Sequence, residues 1–207
     1  MADELRRRAV HASGSGLPAL YLLELLSWSQ TRLALVVLSL GVSGLELARL
    51  VLGREWDLFD ELAREYERDS VAGYALFAYS QTAVAWLTLP AVAMPGMLML
   101  SIGDPVSGVL GGTDEPTGKR LGVLAVMFGV CFALAAPFTV RVPSASPATA
   151  ALAAAAGALG ATLVDGFKPV VAGRVVDDNL SIPPAAAAGI LLALAVGGVD
   201  VRALLTV

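Results

Sequence analysis

Long apolar runs separated by short polar stretches recur along the chain at about 17–28, 31–52, 72–89, 91–112, 121–139, 147–165 and 183–197. An α-helix needs roughly 20 apolar residues to cross a hydrocarbon core, so the pattern predicts seven transmembrane helices, the first of them short. Residues 54–69 break the apolar pattern. Within them Trp56, Phe59, Leu62 and Tyr66 recur at three- or four-residue intervals among charged positions, which is the spacing of an amphipathic helix lying at the membrane interface; a plain solvated connector is the alternative. The alanine-rich run 148–158 reads as a helix whose small residues permit close packing. Two polar stretches stand out, one interrupting the fourth run at 103–112 and one preceding the seventh at 175–184.

Composition places the chain in the same class. Of 207 residues 57% are hydrophobic and 15% charged, and the mean hydropathy is +0.73, outside the range of an ordinary soluble domain. The expected fold is all-α: a polytopic integral membrane helical bundle forming one domain over residues 1–207. Cys131 is the only cysteine and sits inside an apolar run, so neither a disulfide framework nor a thiolate metal cluster is available. No small-residue cleavage site follows the N-terminal arginines, and that segment is read as part of the mature protein. The balance of 18 acidic against 14 basic residues argues against a nucleic-acid partner. An acidic, lysine-poor composition fits a high-salt cytoplasm, and genomic base bias would produce it too.

Basic residues orient a membrane protein, because connections rich in Lys and Arg stay in the cytoplasm. With seven spans, Arg6, Arg7, Arg8, Arg49, Arg54, Arg64, Arg68, Lys119, Arg120, Lys168 and Arg174 fall on one side, and Arg32, Arg141 and Arg202 on the other. The expectation is a cell-membrane protein with its N-terminus in the cytoplasm, and with His11, the 103–120 insert and the 165–182 loop together on that face.

The polar stretches carry the candidate chemistry. Asp104 lies toward the cytoplasmic end of the fourth run, where an ionised carboxylate costs several kcal/mol, and a metal or a cationic partner is the default explanation. Ser107, Gly108, Gly111 and Gly112 follow it. Glycines at this density let backbone N–H groups approach a phosphate, although glycine in membrane helices more often serves packing. Lys119 and Arg120 supply positive charge suited to phosphate oxygens. In the second stretch Asp177, Asp178 and Asn179 are hard oxygen donors of the kind Mg²⁺ takes alongside substrate phosphates, while Asp178 or Asn179 also suits a helix cap. Ile182, Pro183 and Pro184 read as the first turn of the last span, where proline is tolerated. Asp165, at the end of the sixth run, is either a third site carboxylate or an interfacial residue. Glu46 and Arg49 have the i,i+3 spacing of an ion pair within a helix; an intramembrane carboxylate facing the site is the other reading of Glu46.

Taken in order, Arg7-Arg8-x-x-His11, Glu46-x-x-Arg49, Gly103-Asp104-x-x-Ser107-x-x-x-Gly111 and Asp178-Asn179-Leu180-Ser181-Ile182-Pro183 resemble the CTP-dependent lipid alcohol kinases, the membrane family of dolichol, phytol and diacylglycerol kinases. The resemblance spans nearly the whole chain, and its most specific piece is 178–183. It implies Mg²⁺-dependent phosphoryl transfer from CTP to the hydroxyl of a lipid alcohol, with a dolichol-like or shorter prenol favoured by the suspected archaeal-type composition. Asp104, Asp177 and Asp178 would hold the metal. Ser107, Gly108, Gly111, Gly112, Lys119, Arg120 and Asn179 would bind the nucleotide, and Asp104, Asp178 or His11 would act in catalysis. The loop 113–122 departs from the family's Lys-Lys-Thr-x-Glu-Gly-Ser-like run and lacks its glutamate. Two other classes use similar residues: a cytidylyltransferase attacking the α-phosphorus to make a CDP-lipid, and a non-enzymatic membrane protein or transporter, for which the polar groups would have to spread through the membrane depth.

Overall fold

The computed structural model describes residues 13–54, 67, 69–111, 119–167, 170–171 and 174–206. The elements are α1 (Gly16–Leu22), α2 (Trp28–Leu50), α3 (Gly73–Leu87), α4 (Pro90–Leu98), a π-helical stretch (Met99–Gly103), α5 (Asp104–Gly111), α6 (Leu121–Thr139), α7 (Pro147–Phe167), the two-residue strands β1 (Val170–Val171) and β2 (Arg174–Val175), α8 (Asp178–Val196) and a closing 3-10 turn (Val201–Leu204). Apart from the short antiparallel ladder, with Val170 opposite Val175 and Val171 opposite Arg174, the described chain is helical.

Among the described residues, five helical segments are long and apolar enough to cross a membrane: Trp28–Leu50, Pro90–Gly111, Leu121–Thr139, Pro147–Phe167 and Asp178–Val196. Their outward faces carry exposed Leu33, Val37, Leu40, Val126, Leu159 and Leu192, as expected of side chains meeting lipid tails. Helix α3, with 15 residues, is shorter, about 22 Å at 1.5 Å per residue, and packs between α2 and α8. The expected first span over 17–28 is not formed as one. Helix α1 has seven residues, about 10 Å, and the chain then turns through Glu24 at φ 59°. A new helix starts at Trp28 because Ser27 and Gln30 form a reciprocal capping box, Ser27 N donating to Gln30 Oε1 at 2.8 Å and Gln30 N to Ser27 Oγ at 3.3 Å. Most of the proposed amphipathic segment 54–69 lies outside the described residues.

The last span also begins earlier than its prolines suggest. Helix α8 starts at Asp178, so Pro183 and Pro184 fall inside it rather than in its first turn. Pro183 has no N–H for the carbonyl four residues back, that of Asn179. The freed carbonyl oxygen accepts instead from Ser80 Oγ of α3 at 2.6 Å, which ties the start of α8 to the neighbouring helix.

Helices α7 and α8 make the most extensive contact in the molecule, and small residues make it possible. A Cβ on Gly160 would come within 2.6 Å of the Ala185 carbonyl oxygen, one on Gly157 within 2.6 Å of the Ile190 side chain, and one on Gly189 would strike the Ala156 carbonyl. Backbones this close gain van der Waals contact that lipid cannot match. The core divides into three buried clusters: Leu35, Val92, Met94, Met97, Ile190 and Leu194 belong to the first, Met99, Leu100, Met127, Cys131, Ala158 and Ile182 to the second, and Val42, Ala75 and Ala78 to a small third. At the end where α3 meets α4, the chain returns to close the bundle, Leu89 N donating to Leu204 O at 2.9 Å, and Arg32 lies 4.0 Å over the Trp86 ring.

Gly160→Ala is expected to lower stability in detergent by about 1–3 kcal/mol through overpacking. Gly129→Ala, where nothing lies within 4 Å of the new Cβ, should leave stability unchanged or raise it by up to about 1 kcal/mol through helix propensity. Thermal unfolding of the two variants beside the native chain checks this.

Candidate functional site

Three carboxylates meet at one end of the bundle. Asp104 follows the π-helical stretch Met99–Gly103. Pro105 behind it supplies no N–H to the carbonyl of Ser101, and π-helical stretches of this kind occur preferentially at functional positions. Asp165 lies in the last turn of α7, and Asp178 is the first residue of α8. One ligand oxygen from each of the three lies within 4.8 Å of the others. Asp165 is 1% and Asp178 6% exposed, and Asp104 is partly buried.

The charge is partly met by protein groups. Lys119 Nζ donates to Asp165 Oδ1 at 2.7 Å and to Ser107 Oγ at 2.9 Å, and Ser107 Oγ donates to Asp165 Oδ2 at 2.7 Å. Asp177 caps α8, accepting from the Asn179 backbone N–H at 2.9 Å and from Asn179 Nδ2 at 2.6 Å. Burial, with the neighbouring Asp178 charge adding to it, pushes the Asp177 carboxyl above its ordinary range, against the lowering effect of those Asn179 bonds. Asn179 Oδ1 is buried and has no partner.

A second polar knot lies at the same end. Glu46, 5% exposed, accepts from Arg49 Nη2 at 2.7 Å and Nε at 3.2 Å, from the Ala72 backbone N–H at 3.1 Å, and from the Tyr74 hydroxyl. Arg49 also donates to the carbonyls of Glu67 at 3.0 Å and Ser70 at 2.6 Å. The i,i+3 pair expected from sequence is therefore present, and it does more than pair. It closes the N-terminus of α3, whose cap position Ala72 has no capping side chain of its own. Gly73 next to it is hemmed in by Asn179 Nδ2 and Glu67 Oε1, 2.9 and 3.3 Å from where a Cβ would stand, so this knot abuts the start of α8.

The structure thus brings together Asp104, Ser107, Lys119, Asp178 and Asn179, and adds Asp165 as the third carboxylate. Asp177, expected among the metal ligands, is not in the three-carboxylate group and serves as the N-cap. Arg120 is exposed at the N-cap position of α6. Gly111 packs against the start of α6, with Val123 Cγ1 3.5 Å and the Lys119 stem 3.7 Å from its Cβ position, so it seats the lysine. Gly108 is partly buried. His11 and Gly112 lie outside the described residues. Ser80, Glu67 and Tyr74 were missed by sequence reasoning; Ser80 sits in the polar run Tyr79-Ser80-Gln81-Thr82, a signal that could have found it, Tyr74 is an isolated polar position in the same apolar segment, and Glu67 is one acid among many. A cavity of about 670 Å³ lined in part by Tyr21, Glu24, Gln30, Phe138 and Arg141 involves none of the three carboxylates. No family model, curated protein or solved structure matches the chain.

Lys119→Met is expected to destabilise the protein by on the order of 3 kcal/mol, because it leaves Asp165 buried without its cation. Arg120→Met, at an exposed position, should change stability by no more than about 0.5 kcal/mol. Chemical unfolding of both variants in the same detergent distinguishes the two lysine- and arginine-based contributions.

Proposed function

We propose that the chain is a membrane lipid-alcohol kinase, transferring a phosphoryl group from CTP to a polyprenol or dolichol-type alcohol at the cytoplasmic face of the cell membrane. The observation that carries this reading is the convergence of Asp104, Asp165 and Asp178 within 4.8 Å, drawn from three separate helices and flanked by Lys119. The donor set fits Mg²⁺: the three carboxylates and the unpartnered Asn179 Oδ1 are all hard oxygens. When bound, Mg²⁺ would neutralise phosphate charge at this end of the bundle. Asp104 and Asp178 would hold it, with Asp165 as the third carboxylate.

Phosphoryl transfer depends mainly on positioning and charge neutralisation. The lipid hydroxyl oxygen attacks the γ-phosphorus, the bond from that phosphorus to the β–γ bridging oxygen breaks, and CDP leaves. The hydroxyl proton passes to a carboxylate of the cluster or to His11. Lys119, Arg120 and Ser107 would meet the triphosphate, and Gly108, Gly111 and Gly112 follow Ser107 in sequence.

Orientation follows from the same end of the bundle. Its connections carry Arg49, Arg54, Arg64, Arg68, Lys119, Arg120, Lys168 and Arg174, against Arg32, Arg141 and Arg202 at the other, which supports a cytoplasmic site.

Membranes containing the protein, given γ-labelled CTP, Mg²⁺ and a panel of prenols and diacylglycerol, should form a labelled lipid monophosphate. Asp178→Asn should reduce the product at least 100-fold, about 2.7 kcal/mol of lost transition-state stabilisation. Entry of α-label into lipid with γ-label in pyrophosphate would replace this reading with a CDP-lipid cytidylyltransferase, and no label in either lipid product would overturn it.

A further inference from the structure

Gln81 of α3 is 1% exposed, and its side-chain carbonyl Oε1 is buried without a hydrogen-bond partner. The orientation of the amide is set by its neighbour. Ser101 Oγ donates its proton to the Met97 carbonyl at 2.8 Å, so toward Gln81 it can only accept, and Gln81 Nε2 donates to it at 3.4 Å. Flipping the amide would set two acceptors against each other. Oε1 is therefore left as an acceptor that needs an O–H or N–H donor, and buried groups of this kind in native proteins are uncommon enough to require an explanation.

Its position relates it to the carboxylates. Ser101 belongs to the π-helical stretch, and Asp104 follows it by three residues, about one helical turn. Ser80, the residue before Gln81, holds the Asn179 carbonyl at the start of α8. Two successive residues of α3 thus bond the backbone or side chain of both site-bearing segments. The surroundings are apolar: Ala78, Val84 and Ala85, about one turn either side of Gln81 on α3, are buried core residues, Phe77 packs against the second cluster, and Met99 and Leu100 of that cluster immediately precede Ser101. Methionine side chains adapt readily to the shape of an apolar guest. A ligand suited to this place has one hydroxyl and an otherwise hydrocarbon body.

We infer that Gln81 Oε1 receives the hydroxyl of the lipid alcohol, holding the acceptor's head beside Ser101, which lies one helical turn before Asp104; this rests on the kinase reading above. Gln81 is then a binding residue for the acceptor and has no contact with the nucleotide.

The test uses the full chain in nanodiscs with farnesol as the prenol probe. Gln81→Met keeps the size and removes the acceptor. It should raise KM for farnesol about tenfold, the scale of one lost hydrogen bond, and leave KM for CTP unchanged. Retention of tritiated farnesol without nucleotide should weaken by a similar factor. Ser101→Ala, which releases the amide, should shift both readouts in the same direction, while Thr162→Val, at a buried hydroxyl bonded to the Ala158 carbonyl, should move neither. Native KM and native retention in Gln81→Met would overturn the inference and assign Oε1 to a structural water, with the kinase reading standing. Absence of kinase activity in the native chain, with farnesol retention still dependent on Gln81, would overturn the kinase reading alone.

Discussion

Asp165 sets the constraint on which the rest of the molecule is built. A carboxylate 1% exposed in a bundle of apolar helices is strongly unfavourable unless charge and hydrogen bonds meet it at close range. Both of its oxygens are met, one by Lys119 and the other by Ser107. Meeting it places the start of α6 and the face of α5 against the end of α7, and Gly111 packs beside the lysine stem. Asp104, three residues before Ser107, is drawn into the same space. Asp178 arrives from α8. The concentration of negative charge thus follows from one buried group and the elements that accommodate it.

Irregular backbone around that end is met in part by partners from neighbouring helices. The π-helical stretch precedes Asp104, and Pro105 follows it. Pro183 leaves the Asn179 carbonyl without a donor in its own helix, and Ser80 supplies one from α3. The N-terminus of α3 has no capping side chain, and Glu46 of α2 supplies the acceptor for Ala72. The two repairs come from different helices, so the same bonds that satisfy the backbone fix α2, α3 and α8 relative to one another. Alanine and glycine on α7 and α8 let those two helices approach closely enough for Asp165 and Asp178 to meet.

How much of this was legible depends on how local the signal was. Helix α6 occupies 121–139, as the apolar run indicated, and α7 starts at Pro147 and ends two residues beyond the expected boundary. Hydropathy summed along a run suffices there. It failed at 17–28, where leucine content outweighed the Ser27-x-x-Gln30 capping signal that starts a new helix. It also placed Pro183 and Pro184 in a first turn that lies five residues earlier, at an aspartate cap. Asp104, Asp178 and Lys119 were legible because charge is rare in such a chain. Asp177 was assigned to the metal with them, but its short side chain is committed to the backbone N–H two residues on.

Composition and periodicity along the chain were enough to establish an apolar helical bundle with polar residues gathered in two stretches, because the need to satisfy lipid and backbone acts residue by residue in order. Which carboxylates meet is a different kind of fact. Asp165 reads in sequence as either a site carboxylate or an interfacial residue, Ser80 and Gln81 like any polar residue in a helix, and Glu67 like one acid in an acidic connector. Their roles arise from distances between helices separated by up to about a hundred positions in sequence, as for Ser80 and Asn179. Those distances are set by glycine contacts and by the need of backbone groups freed by proline or left uncapped to find partners on neighbouring helices, and neither is expressed in the local order of residues.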